Sequence, residues 1–229
     1  MDLIDMLSNI DEKKVAAAAW IIPLFAGAAA LAAYAVIWWR KGRSVESVAD
    51  ALGLPFALNA PYDLERTGLD IFTKGFDREV TNQLSGISAA GAKARFFDYE
   101  FYYSGGGKKG KYLLTAALFE FEEPLLPEFT LRPERLFAKL AAEFGWEDID
   151  IPGAEEFSGK YHLSGKDKAA ISAFWTPARV RGFKLPARCT AEASGRWLTF
   201  YRYMVTLDAK SYPGFIEEAK AAAAALARP

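Results

Sequence analysis

The chain has 229 residues, with 28 Lys and Arg against 29 Asp and Glu, so its net charge is −1 and it carries no basic footprint for nucleic acid. One cysteine, Cys189, and one histidine, His162, exclude an internal disulfide, a Cys-rich zinc site and iron–sulfur ligation. With 17 Phe, 10 Tyr and 6 Trp the composition favours a folded chain over a disordered one.

Residues 1–14 open the chain. Leu3, Ile4, Leu7 and Ile10 recur at helical spacing and predict a short amphipathic segment. That segment either extends the following helix into the headgroup region or docks on a neighbouring membrane protein. Val15 to Trp39 then runs without a charge, bounded by Asp11-Glu12-Lys13-Lys14 and Arg40-Lys41-Gly42-Arg43. A hydrocarbon layer of about 30 Å needs roughly 20 apolar residues in a helix, so 15–39 is predicted to be a transmembrane helix. A cleaved signal peptide has an apolar stretch of about 7–15 residues behind a positive start, and this one is longer and follows acidic residues. Trp38, Trp39, Arg40 and Lys41 have the composition of a membrane interface. Arg40, Lys41 and Arg43 outnumber Lys13 and Lys14, which places the rest of the chain in the cytoplasm by the positive-inside rule. Pro23 perturbs the span, and Ala26, Gly27 and Ala30 permit close packing of a second helix.

Residues 44–229 form the predicted soluble domain. Ser44 to Leu54 reads as a short helix capped by Ser44 or Ser47 and ended by Gly53. Pro55 and Pro61 break the next stretch, with a helical turn between Asp63 and Phe72. From Asn82 the period changes to two. Leu84, Gly86 and Ser88 lead to a turn at Ala89-Ala90-Gly91, and Phe97, Tyr99, Phe101 and Tyr103 alternate with Phe96, Asp98, Glu100 and Tyr102. After Ser104–Lys111, the segment Tyr112–Glu122 completes a three-stranded meander. Leu125–Leu131 reads as an extended connection, Pro133 as a helix start, and Glu134–Phe144 as an amphipathic helix stopped by Gly145. A strand containing Phe157, Tyr161 and Leu163 follows, then a helix capped by Asp167 and interrupted by Pro177. Arg188–Ala193 and Arg196–Thr206 make a hairpin around Ser194-Gly195. The last helix opens at Ser211 and Pro213. Strands joined by hairpins and interspersed with helices predict an α+β domain built on an antiparallel sheet.

Four short stretches carry a resemblance. They are Gly86…Phe97-Asp98-Tyr99-Glu100-Phe101, then Leu126-Pro127-Glu128-Phe129…Arg132-Pro133-Glu134, then Glu156-Phe157…Tyr161-His162-Leu163, and Ala193-Ser194-Gly195-Arg196-Trp197-Leu198. In these the chain resembles uncharacterised bacterial proteins with one membrane span and a cytoplasmic-type domain. The expected location is the bacterial inner membrane, and the resemblance implies an architecture. It implies no reaction, cofactor or site residue.

The residues with chemical potential are few. Gly105 to Lys111 fits the spacing of a phosphate loop, but Tyr112 replaces the magnesium-binding hydroxyl and a strand follows instead of a helix. A hairpin tip is therefore expected, with Lys108, Lys109 and Lys111 available to anionic lipid or an acidic partner. His162 is expected on the exposed side of its strand, and it lacks the companions of a metal site. Cys189 reads as a small buried residue. Asp98 and Glu100 share one side of a strand, about 6.5–7 Å apart along it, where either acid–base work or an ordinary outward face would put them. Arg179, Arg181, Lys184 and Arg188 read as a solvated linker. No catalytic, metal or cofactor residue is assigned. The expected function is a non-catalytic binding, scaffold or accessory module whose partners are the bilayer and other membrane subunits. The alternatives are a membrane-tethered enzyme using Asp98 and Glu100, and a lipid or small-ligand binder inside the Phe97/Tyr99/Phe101 face.

Overall fold

The structure, a computed structural model, describes residues 12–105, 108–124, 126–134 and 148–227. It divides into two compact units, Met1–Arg43 and Ser44–Pro229.

The first unit is helical. Helix α1 spans Glu12–Leu52 and contains Pro23. From Trp20 to Arg40 every residue is exposed, including Trp20 at 83% and Leu24 at 72%. A soluble helix does not leave such a surface bare. The helix is long and apolar enough to cross a membrane. The amphipathic reading of residues 1–14 lies outside the described residues, apart from Glu12, Lys13 and Lys14 in the helix.

The separate helix expected from Ser44 to Leu54 does not exist. Those residues are the last turns of α1, because Arg40-Lys41-Gly42-Arg43 holds one glycine among good helix formers and no proline. The end itself is as expected. Gly53 takes φ +65, and the Leu54 amide donates to the Ala49 carbonyl at 2.9 Å.

The second unit is an α+β domain on one antiparallel eight-stranded sheet, in the order β1-β2-β3-β4-β8-β7-β5-β6. Its strands are β1 (Phe56–Ala60), β2 (Phe76–Ala89), β3 (Ala92–Gly105), β4 (Lys108–Phe121), β5 (Leu126–Pro133), β6 (Tyr161–Ser164), β7 (Thr190–Gly195) and β8 (Trp197–Tyr203). The β2–β3 turn holds Ala90 and Gly91 at positive φ, the conformation a two-residue hairpin turn demands. The β7–β8 turn places only Gly195 there, at φ +58. The segment expected to be a connection, Leu125–Leu131, falls from Leu126 onward in β5, an internal strand bonded to β6 and β7. Pro133 is the last residue of that strand, where its lack of a donor costs no ladder bond, and Glu134 after it is helical. Of the expected helix Glu134–Phe144, only Glu134 is described.

The sheet is buried on both faces. On one face Leu84, Phe96, Ala117, Phe119 and Phe200 meet Phe215, Ala219 and Ala222 of the last helix, α6 (Tyr212–Ala227). The Phe96 and Phe215 rings lie 5.8 Å apart, edge to face. Further along this face Trp175 packs on Phe129, Phe157 and Phe183. Trp175 sits between two short helices, α4 (Lys168–Phe174), capped by Asp167, and α5 (Pro177–Gly182), capped by Thr176. A one-turn helix, α3 (Glu155–Ser158), supplies Phe157. On the opposite face Phe97, Tyr99, Phe101, Leu114 and Leu118 are covered by Leu64, Leu69, Ile71 and Phe72. These come from a 3₁₀ turn, Leu64–Thr67, and a one-turn helix, α2 (Asp70–Thr73), where a helical turn was expected.

Candidate functional site

The Phe97/Tyr99/Phe101 face is filled. Tyr99 packs edge to face on Phe72 at 5.3 Å and stacks on Phe101 at 5.3 Å. Among the described residues, packed side chains occupy the sheet face where one alternative expected a ligand.

Asp98 departs from its expected outward position. It is 5% exposed, and three side chains donate to it: Asn82 Nδ2 at 2.8 Å, Thr115 Oγ1 at 2.5 Å and Tyr212 Oη at 3.1 Å. The reason is α6, which crosses this face and brings Tyr212 down on it. Burial, then the Asp98 charge, raises the Tyr212 phenol far above its ordinary range, so it stays a donor. Thr115 Oγ1 also accepts the Leu207 amide at 2.8 Å. Asp98 is thus a structural hub joining β2, β3, β4 and α6. Glu100, two residues on, is half-buried and paired with Lys111 Nζ at 2.5 Å. The two carboxylates share a face and serve separate partners.

A second polar group escaped notice in the sequence. The register Ser164–Thr130–Glu192–Thr199 places four buried polar side chains in one row across β6, β5, β7 and β8, on the face opposite Asp98. Glu192 Oε1 accepts the Tyr201 hydroxyl at 2.6 Å, and its Oε2 accepts the Ile71 amide at 3.0 Å. Burial raises the Glu192 carboxyl, with the Tyr201 and Ile71 hydrogen bonds opposing. The adjoining cavity, between Asp70, Phe129, Thr130 and Glu192, is about 20 Å³, room for about one water and too small for a substrate. Glu192 therefore ties the α2 turn to the sheet. An alternation of Thr, Glu and Ser with alanine was its only signal in the sequence.

His162 is buried at 4% exposure, against the expectation of an outward position. It sits opposite Arg132 in the β5–β6 register, on the same face as the row above, and its Nδ1 lies 3.3 Å from Asp148 Oδ1. Glu134, Asp148 and His162 each bring one ligand atom within 4.8 Å of the others. Asp148 Oδ1 is already engaged by the Ile149 and Leu163 amides at 3.0 Å, so the arrangement closes a loop onto β6. Cys189 is buried as expected, and burial pushes its thiol up to about 12. Arg179 is in α5, not in a linker, with its guanidinium 4.1 Å over the Phe174 ring.

An accessible apolar edge lies at one end of the sheet. The glycine-rich segment is a hairpin: Gly105 pairs with Lys108 and Tyr102 with Lys111, so the following segment is a strand and not the helix of a phosphate loop. β4 gains its β8 neighbour only from Leu114 onward, so Lys108–Leu113 project beyond β8. Around this projection Phe76 (51%), Leu113, Tyr102, Tyr103, Met204 (53%) and Val205 are exposed. Phe76 stacks on Tyr102 at 6.1 Å, and Lys111 Nζ lies 5.9 Å over the Tyr102 ring. Lys108 and Lys109 belong to the tip by sequence. The result is an apolar edge beside a basic tip, formed by the ends of β2, β3, β4 and β8.

No family model matches the chain, and no curated protein does. Among solved structures it is similar to the crystal structure of the mycobacterial trehalose monomycolate transport factor A, TtfA. The likeness has a TM-score of 0.55 at 14% identity, and it covers 82% of this chain and 96% of that one. It is a likeness of fold.

Proposed function

We propose that this chain is a single-pass membrane protein of the bacterial inner membrane, with 15–39 as the span and 44–229 in the cytoplasm. In this reading the domain is a non-catalytic accessory subunit of a membrane transport assembly. The observation that carries the proposal is the exposed apolar edge formed by Phe76, Tyr102, Leu113, Met204 and Val205, on a domain chained to an exposed apolar helix. Apolar surface gathered at one place is the mark of an interaction site. The basic tip of Lys108, Lys109 and Lys111 fits a partner with an acidic rim. The fold shared with a mycobacterial transport factor supports the class of assembly. Pro23, Ala26, Gly27 and Ala30 would pack against the partner's membrane helices.

The test is recovery of full-length protein in a mild detergent after cross-linking, with its companions identified. The expected result is a membrane protein that is lost with Phe76→Ser/Leu113→Ser and with the span replaced by an unrelated one, while the thermal midpoint of the domain stays unchanged. Repeated recovery of the wild type as an isolated monomer would overturn the reading.

A further inference from the structure

The other end of the same strands holds a concavity that the accessory-subunit reading does not use. Two open hollows of about 410 and 420 Å³ adjoin at the β2–β3 hairpin, sharing Ser88, Lys93 and Glu120. Four cations line them: Arg66, Lys93, Arg95 and Arg196. Arg66 and Arg95 are held by Asp63, at 3.1 and 2.8 Å, and Arg66 also lies 4.0 Å from Glu120. Lys93 and Arg196 are exposed and have no ion-pair partner among the described residues. The floor is apolar and aromatic, with Ile87, Ala94, Leu118 and the Trp197 indole, over which the Arg66 guanidinium lies at 5.1 Å.

Lys93 borders both hollows and Arg196 the second, beside the indole and aliphatic side chains of the first, an arrangement that suits a ligand with an anionic head and an apolar body. Glu122 and Glu120, the latter opposite Lys93 in the β3–β4 register, line the second hollow too, so an anion there must sit against Lys93 and Arg196 and away from both carboxylates. The hollow is also close, along the chain, to the predicted span. Its wall residue Ser85 donates its amide to the Pro55 carbonyl at 3.0 Å, and Gly86 abuts Pro55. From Pro55 back to Ser44 is mostly the end of α1, a path of roughly 16 Å at the helical rise.

We infer that the second hollow binds the phosphate of an anionic phospholipid headgroup, through Lys93 and Arg196, with Trp197 in the adjoining hollow beside its apolar part. Each cation near an anionic surface is worth about a factor of five, so the pair gives a preference of about 30-fold over a neutral lipid. The experiment is amide hydrogen exchange on the full-length protein in nanodiscs of phosphatidylcholine alone or mixed with phosphatidylglycerol. Slower exchange at 85–95 and 195–198 in the mixed discs supports the site, as does its loss in Lys93→Glu/Arg196→Glu. Lys93→Gln/Arg196→Gln should lose it in part, and exchange in β5 and β6 reports that either variant is folded. Equal exchange of the wild type in both discs overturns the inference. Equal protection by inorganic phosphate in neutral detergent would move the site to a soluble anion and overturn the lipid source.

Discussion

Removing the Asp98 carboxylate is the most searching perturbation of this fold. Asp98→Ala leaves the Asn82 amide and the Thr115 and Tyr212 hydroxyls without their buried acceptor. A buried polar group stripped of its partner costs about 1–3 kcal/mol, and neighbours sharing one acceptor are not additive, so the total is about 3–5 kcal/mol. For a domain of this size that lowers the thermal midpoint by about 6–20 °C. The assay is thermal unfolding of the full-length protein in neutral detergent, followed by near-ultraviolet circular dichroism of the aromatic core. Tyr212→Phe removes one donor and should cost about 1 kcal/mol. The double variant should be less unstable than the sum, because the Tyr212 hydroxyl has already lost its carboxylate acceptor once Asp98 is gone. A midpoint for Asp98→Ala within about 2 °C of the wild type would refute the reasoning. So would exact additivity with Tyr212→Phe.

Other substitutions probe separate parts. The Glu192 carboxyl is raised from 4.5 in the folded state, so its contribution to stability is complete below that value and is lost as pH rises toward the raised one. The stability of the wild type relative to Glu192→Gln should therefore fall with rising pH above 4.5, by up to about 1.4 kcal/mol per unit, and a flat difference in denaturant titrations would contradict it. Cys189 should resist iodoacetamide at about pH 8 until the protein unfolds, and alkylation at the rate of free cysteine would show the thiol accessible. At Gly75, φ is +78 and a Cβ would sit 2.4 Å from the Tyr102 carbonyl oxygen and 2.5 Å from a Phe101 ring carbon. Gly75→Ala should cost about 2–4 kcal/mol, whereas Gly91→Ala, at similar φ but in open space, should cost about 1 kcal/mol, both read from midpoints.

The elements with a strong period were legible in the sequence. Phe97, Tyr99, Phe101 and Tyr103 announce β3, Gly195 announces the β7–β8 turn, and the uncharged stretch before Arg40 announces the exposed part of α1. Elements whose identity is settled by tertiary contact were not. Leu126–Pro133 has one proline near each end, which reads locally as a break, yet it is an inner strand because β6 and β7 bond to both its edges. Asp98 and His162 looked outward because alternation tells which residues share a face and not which faces are covered. The Asp98 face is covered by α6, more than a hundred residues later in the chain. Glu192 was invisible for the same reason: its partners, Ile71 and Tyr201, meet it only once the sheet is assembled. The two accessible features, the apolar edge and the hairpin hollow, combine residues from four or more elements each, and no local motif encodes them.

The strand order has a consequence for how the chain is made. β7 and β8 lie between β4 and β5, although they follow β6 in sequence. While the chain emerges from the ribosome, β4 keeps a bare, largely apolar edge until β8 is released, and the β5–β6 pair has no sheet to join. The domain is then two unfinished pieces awaiting a keystone hairpin, at a time when the apolar helix ahead of it is already out. A transcript cut short before Trp197 would yield a product with a long unpaired edge, prone to aggregate at the membrane. Final assembly depends on the last fifth of the polypeptide, and a folding helper would act most usefully in that interval.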